Sequence, residues 1–195
     1  PLRLIMVGAL SFIKGQDIFA DAIYKLPKEV TDNINIIFCY GSDEKDNSYD
    51  TLVEIMDNLS KYISVKVFDS LPHDEMLSLI STADFLIVSS RQETMSAVTA
   101  EAWMTGTPAV LSDACGISYY AKEEMRKLIY HTGKSTELTS MIEKCFDIRD
   151  SDLYEELTTS GREVYTENFT HEAFERNVLR EIELASGKNN HCIIP

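Results

Sequence analysis

The sequence predicts a doubly wound α/β fold, in which a parallel sheet of about six strands is covered by helices on both faces. Nearly continuous apolar runs, such as Phe85-Leu86-Ile87-Val88, alternate along the chain with segments of helical periodicity. Strands that are apolar on both sides are typical of a parallel sheet buried between helices. A length of 195 residues suits one such domain with a C-terminal helical extension.

The order of the elements follows from the same patterns. Strands are predicted at 4–7, 34–40, 65–68, 85–88, 109–111 and 128–130, the first two ending at Gly8 and Gly41. A helix begins at about Gly15 and ends before Pro27, with apolar residues at 18, 19, 22, 23 and 26 on one face. Further helices are predicted at 52–59, at 74–80, after residue 93, and from about 135, 152 and 171.

Composition excludes several classes of function. The formal net charge of −14 argues against a nucleic-acid-binding protein and against polybasic docking to anionic lipid. No apolar run of about 18 residues and no signal peptide is visible, which favours a cytoplasmic protein. The cysteines (Cys39, Cys115, Cys145, Cys192) and the histidines are dispersed, so buried thiols are expected and no metal site is predicted.

Two glutamates mark the candidate site. Ligands of this fold bind beyond the carboxyl ends of the strands, and Glu93 follows the fourth strand there. Glu101 comes seven intervening residues later, about one turn inside the next helix. The unpaired N–H groups of the helix start lie between them and suit an anion, whereas carboxylates suit hydroxyl groups. A ligand containing a sugar, a diphosphate and a ribose in that order would match all three parts.

These motifs resemble a known family. Gly8 followed by Lys14-Gly15, and the block 83–110 with its two glutamates and the turn Gly106-Thr107-Pro108, resemble the donor-binding domain of GT-B glycosyltransferases of group 1 (family 4). In these enzymes that domain is the C-terminal half. The likeness extends over about residues 3–180, and the paired-glutamate block is its most specific part.

The resemblance implies a Rossmann-like nucleotide-sugar-binding domain at 1–185 and a polar tail at 186–195. The whole enzyme would transfer a sugar with retention from a UDP- or GDP-sugar, without a metal or other cofactor, in polysaccharide or glycoconjugate synthesis. Its N-terminal acceptor domain is absent from this chain, so we expect weak nucleotide binding and no transfer by the chain alone. Peripheral membrane association of the full-length enzyme is a further expectation.

The resemblance also assigns site residues. Glu93 would contact the donor sugar, Lys14 would neutralise the departing phosphate, and Glu101 would bind the ribose hydroxyls. The backbone N–H groups of Met95, Ser96 and Ala97 would face the diphosphate. The other expected donor-binding residues are Gly8 and Gly15 in the first loop, Thr94 after Glu93, Tyr40, Gly41, Asp69, Ser70 and Leu71 around the base, and Arg91 as an added cation. The C-terminal helix would brace the missing domain through a partly exposed apolar face (Phe174, Val178, Leu179, Ile182).

The chain departs from the family pattern at a few positions. Ala9 replaces the usual arginine after the first glycine, Thr94 and Ser96 replace small glycines, and Asp69 stands where glycine is common. Two alternatives therefore stay open. One is a non-catalytic homologue that acts as a partner-binding subunit, and the other is a sugar-nucleotide epimerase of the same architecture.

Overall fold

The computed structural model of the protein describes residues 1–41 and 47–186, so the predicted polar tail lies outside it apart from its first residue. The strands in this part are β1 (Leu2–Val7), β2 (Ile34–Tyr40), β3 (Ser64–Asp69), β4 (Phe85–Val88), β5 (Ala109–Ser112) and β6 (Ile129–Tyr130). The helices are α1 (Gln16–Tyr24), α2 (Lys28–Thr31), α3 (Tyr49–Ser60), α4 (His73–Thr82), α5 (Ala97–Thr105), α6 (Glu123–Arg126), α7 (Ser135–Arg149), α8 (Asp152–Asn168) and α9 (His171–Ala185). A 3-10 helix spans Gly116–Tyr120.

All six described strands are parallel and form one sheet in the order β3-β2-β1-β4-β5-β6. On one face α1 contacts α3 and α7, and on the other α5 contacts α4 and α8. The doubly wound fold is therefore confirmed. The strand order reverses between β1 and β4, which pair at Leu4 with Phe85 and at Ile5 with Leu86. The loops that follow these two strands flank the switch point where ligands of such folds bind.

The central strands form the core of the sheet, and the edge strand β3 departs from the predicted pattern. Every residue of β4 and β5 is buried. In the edge strand β3, by contrast, no residue is fully buried. The short helices α2 and α6 and the 3-10 helix were not predicted, since four or five residues are too few to display a period.

The C-terminal helix α9 lies on α8 and leaves most of its apolar face open. Its Ala173 is buried. Four other apolar side chains are 39 to 65% exposed, namely Phe174, Val178, Leu179 and Ile182. The partial exposure expected of this face is therefore present. Within residues 1–41 and 47–186, no helix combines the length and apolar character needed to cross a bilayer.

Candidate functional site

The loop between β1 and α1 has a glycine at each end, and the second of these contacts the loop after β4. Gly8 leaves β1 with a φ of 143° and donates its N–H to the Cys39 carbonyl over 3.0 Å. Gly15 precedes α1 with a φ of 75°, in the left-handed region that glycine favours. The Ser89 hydroxyl donates to the Gly15 carbonyl over 2.7 Å, which ties the two loops together. Both glycines of the predicted motif therefore have a positive φ, which glycine adopts more readily than other residues.

Lys14 and Glu93, the two predicted catalytic residues, form an ion pair across the switch point. The aliphatic part of the lysine side chain lies over Gly8, where an added Cβ atom would be 3.7 Å from the Lys14 Cδ. Both side chains are partly buried. An ammonium has three donors, so Lys14 can hold the carboxylate and bind an anion at the same time.

The backbone of Glu93 is held by the loop after β5. Its N–H donates to the Ala114 carbonyl over 3.3 Å, and its carbonyl accepts from the Gly116 N–H over 2.8 Å. The two segments form an isolated parallel bridge between Glu93 and Cys115. No local sequence signal reveals this support, because Glu93 and Cys115 are far apart in the chain. Cys115 is buried, as expected from the sequence, and burial raises the pKa of its thiol, which disfavours the nucleophilic thiolate.

The N-terminus of α5 faces the same edge of the sheet. Ser96 is its N-cap residue, and the buried Ser96 hydroxyl accepts from the Thr99 hydroxyl over 2.8 Å. Within the described part of the chain, the backbone N–H groups of residues 95–98 have no acceptor. Unpaired N–H groups at the positive end of a helix favour a bound anion. The predicted diphosphate position at 95–97 coincides with this helix start.

Glu101 lies in the second turn of α5 and has a partner that the sequence did not reveal. The His73 Nε2 is 2.8 Å from the Glu101 Oε1. His73 is the first residue of α4, the helix that follows β3. No local pattern in the sequence indicates this contact, because the two residues are 28 positions apart. The contact depends on how α4 packs against α5.

A cleft of about 390 Å³ opens at the carboxyl ends of β1, β2 and β3. It is lined by Val7, Gly8, Ala9, Cys39, Tyr40, Gly41, Ser70, Leu71 and Met76. The structure thus brings both predicted base loops together with the first glycine. Asp69 is not part of the lining. Its carboxylate instead accepts a hydrogen bond from the Ser70 hydroxyl over 3.0 Å.

Arg91, predicted as an added cation, is engaged with the β1–α1 segment. Its guanidinium donates to both carboxylate oxygens of Asp17, over 2.8 and 2.6 Å, and to the Phe12 carbonyl over 2.5 Å. Its backbone N–H donates to the Ile13 carbonyl over 2.7 Å. By these contacts Arg91 holds the loop that carries Lys14 against the loop after β4.

Comparison with known proteins identifies relatives in sequence and in fold. The chain is similar to a D-inositol 3-phosphate glycosyltransferase of Corynebacterium aurimucosum, with 25% identity over 142 residues that cover 72% of this chain and 34% of that protein. A glycosyltransferase from Rickettsia africae has the same fold, with a TM-score of 0.81 and 16% identity over 93% of this chain and 47% of that one. An Anabaena protein solved in complex with UDP-glucose superposes with a TM-score of 0.74 and 18% identity over 93% of this chain and 48% of that one.

The chain thus spans about a third of the curated relative and about half of these solved proteins. The family described as glycosyl transferases group 1 matches residues 1–164, which is most of the sequence. These residues include both switch-point loops, the cleft and α5. The chain belongs to the group 1 glycosyltransferase family.

Proposed function

We propose that residues 1–185 are the donor-binding half of a retaining glycosyltransferase that uses a UDP- or GDP-sugar. The observation that carries the proposal is the Lys14–Glu93 ion pair beside the unpaired N–H groups of α5. A cation and a helix start suit a diphosphate, and a carboxylate next to them suits the hydroxyl groups of a sugar. The Anabaena neighbour was solved in complex with UDP-glucose, which supports a ligand of this class.

The proposed donor extends from the cleft to the switch point. The base occupies the cleft between Tyr40-Gly41 and Ser70-Leu71, where backbone groups are available for hydrogen bonds. The ribose reaches Glu101, and the diphosphate lies at the start of α5. Glu93 then contacts the sugar that is transferred.

Lys14 acts where charge develops during the reaction. As the bond between the sugar and the diphosphate breaks, negative charge accumulates on the departing phosphate, and a fixed ammonium stabilises it. Loss of such a group raises the barrier by about 3 kcal/mol. Donor binding and this stabilisation are the roles assigned to the described residues, and the acceptor is bound by the part of the protein that this chain does not include.

A thermal-shift titration with UDP, GDP, ADP and the glucose conjugate of each nucleotide tests donor binding. A ligand at 100 times its dissociation constant stabilises the fold by about 2.7 kcal/mol, which raises the melting temperature by several degrees. Lys14→Ala is expected to weaken the response to every nucleotide. Glu93→Gln is expected to weaken only the additional response to the sugar conjugate.

Lys122→Ala is the matched control, because it removes an ion pair of the same kind, that with Glu163 on α8. In this variant, the rise in melting temperature that each ligand causes should equal the rise in the parent chain, when each is measured from the ligand-free melting temperature of the same protein. An absence of response to all nucleotides in the parent chain would overturn the proposal. Equal weakening by Lys14→Ala and Lys122→Ala would overturn the assignment of Lys14.

We further propose that the protein acts in the cytoplasm in polysaccharide or glycoconjugate synthesis, and that this chain alone transfers no sugar. Steady-state transfer by the 195 residues alone would contradict the second statement. Ala9, in place of the usual arginine, favours the alternative of a non-catalytic partner-binding subunit. That alternative predicts no thermal shift with any nucleotide, even when the acceptor domain is present. An epimerase, by contrast, would convert the sugar of the nucleotide conjugate without an acceptor.

A further inference from the structure

Glu101 and His73 belong to neighbouring helices and meet at the edge of the proposed donor site. The Glu101 side chain is 23% exposed, and its Oε1 lies 2.8 Å from the His73 Nε2. Its Oε2 has no partner among the described residues. One oxygen of this carboxylate is therefore fixed by the protein, and the other is available to a ligand.

The contact restricts a side chain that is otherwise free to rotate. Glutamate has three rotatable side-chain bonds, and ordering a long side chain costs about 1–2 kcal/mol of conformational entropy. When His73 already holds one carboxylate oxygen, part of this entropy is lost before a ligand binds. The ligand therefore binds more tightly, because the carboxylate is preorganised. Imidazole can donate from Nε2 in both its neutral and its protonated form, so the contact does not require a charged histidine.

We propose that His73 is a positioning residue for the nucleotide. It holds Glu101 with Oε2 turned toward the ribose diol, and it thereby sets the preference of the site for ribonucleotides over 2′-deoxyribonucleotides. The inference rests on the proposed function, since it requires Glu101 to bind ribose. His73 is 67% exposed, so its removal leaves no cavity in the core.

The test compares two affinities in each protein rather than one. Titration calorimetry of the 195-residue chain would measure the dissociation constants of UDP, GDP and ADP and of their 2′-deoxy counterparts. A hydrogen bond between a hydroxyl and a carboxylate predicts a preference of about tenfold for the best-bound ribonucleotide. His73→Ala is expected to reduce this ratio to below about threefold, because it weakens the binding of the ribonucleotide more than that of the deoxynucleotide, which keeps only the 3′-hydroxyl of the diol.

Two further variants separate positioning from a general structural effect. His73→Gln places an amide N–H near the position of the imidazole Nε2 and should restore most of the ratio. His171→Ala is the matched control, because His171 is also the first residue of a helix and also pairs with a glutamate, Glu175 at 3.2 Å. It should leave the ratio unchanged, and all three variants should melt within a few degrees of the parent chain.

Each result has a defined meaning. A ratio that is unchanged in His73→Ala would overturn the inference while the proposed function stands. A parent chain that binds ribo- and deoxynucleotides equally would overturn the ribose role of Glu101, and the role of His73 with it. A parent chain that binds none of the nucleotides would overturn the proposed function itself.

Discussion

Gly15 and Ser89 bring two loops into backbone contact, since a Cβ atom built on Gly15 would lie 2.1 Å from the Ser89 carbonyl oxygen. These residues follow β1 and β4, which pair directly at only two positions. Beyond those positions the strand ladder no longer holds the segments together. The contact at Gly15 and the hydrogen bond from Ser89 replace it, and they place Lys14 beside Glu93.

Gly15→Ala is expected to destabilise the protein much more than Gly133→Ala. The two glycines have nearly the same φ, 75° and 77°, but at Gly133 no atom in the described part of the chain lies within 4 Å of an added Cβ atom. Left-handed strain alone should cost about 1 kcal/mol at Gly133, and overpacking against Ser89 should bring the cost at Gly15 to about 3 kcal/mol. Urea unfolding measures both values, and equal costs would show that the loops separate without penalty.

Gly116→Ala is expected to disturb the position of Glu93. An added Cβ atom would lie 2.1 Å from the Thr94 carbonyl oxygen, so the segment that follows Glu93 must move. We expect the substitution to lower the unfolding free energy by about 2 kcal/mol. It should also weaken the binding of nucleotide sugars more than the binding of nucleotides. Gly41→Ala is the control for stability, because a Cβ atom there meets no atom of residues 1–41 or 47–186 within 4 Å. Unchanged sugar-nucleotide affinity in Gly116→Ala would contradict the prediction.

Arg91 and Asp17 are expected to act on nucleotide binding as one unit. If their ion pair fastens the loop that carries Lys14, Arg91→Gln and Asp17→Asn should each weaken nucleotide binding by about fivefold, and the double variant should be no weaker. Direct binding of the diphosphate by Arg91 would give a different result. Arg91→Gln would then weaken binding far more than Asp17→Asn, which calorimetry distinguishes.

Asp113 is expected to make stability depend on pH. Hydrogen bonds from the Thr132 hydroxyl and backbone N–H lower the pKa of its carboxyl in the folded protein. A lowered folded-state pKa gives a stabilisation that is complete above the unfolded-state pKa, about 4, and is lost as the pH falls through the folded-state value. Thr132→Val should therefore reduce the unfolding free energy at pH 7 and reduce it less as the pH approaches 3. A pH-independent difference would contradict the prediction.

The apolar face of α9 is expected to contribute little to the stability of this chain. Leu179→Ala should change the unfolding free energy by less than about 0.5 kcal/mol, since Leu179 is largely exposed. Leu157→Ala is the contrasting variant, because this leucine of α8 is 2% exposed and its truncation should cost about 3 kcal/mol. A large loss in Leu179→Ala would show that α9 packs more tightly than the structure indicates.

The sequence by itself determined the architecture and the loops that carry the site. Apolar runs alternating with helical periods were enough for the parallel sheet, because burial on both faces leaves a pattern in consecutive residues. The spacing of Glu93 and Glu101 placed one before α5 and one within it, since a helix start has local signals in the chain. The residues that line the cleft, among them Gly8, Tyr40 and Leu71, were assigned through the resemblance to the family, and their meeting agrees with the rule that parallel strands end at one edge.

Only the tertiary structure decided which side chains meet. Lys14 contacts Glu93 across 79 positions, His73 contacts Glu101 across 28, and Arg91 contacts Asp17 across 74. Such pairs have no periodic signature, because they arise from the strand order and from the packing of one helix on another. The bridge between Glu93 and Cys115 is of the same kind. The local sequence specifies which side chains each loop carries. The distance between two loops is set by the order of the strands in the sheet, because that order brings together segments that are far apart in the sequence.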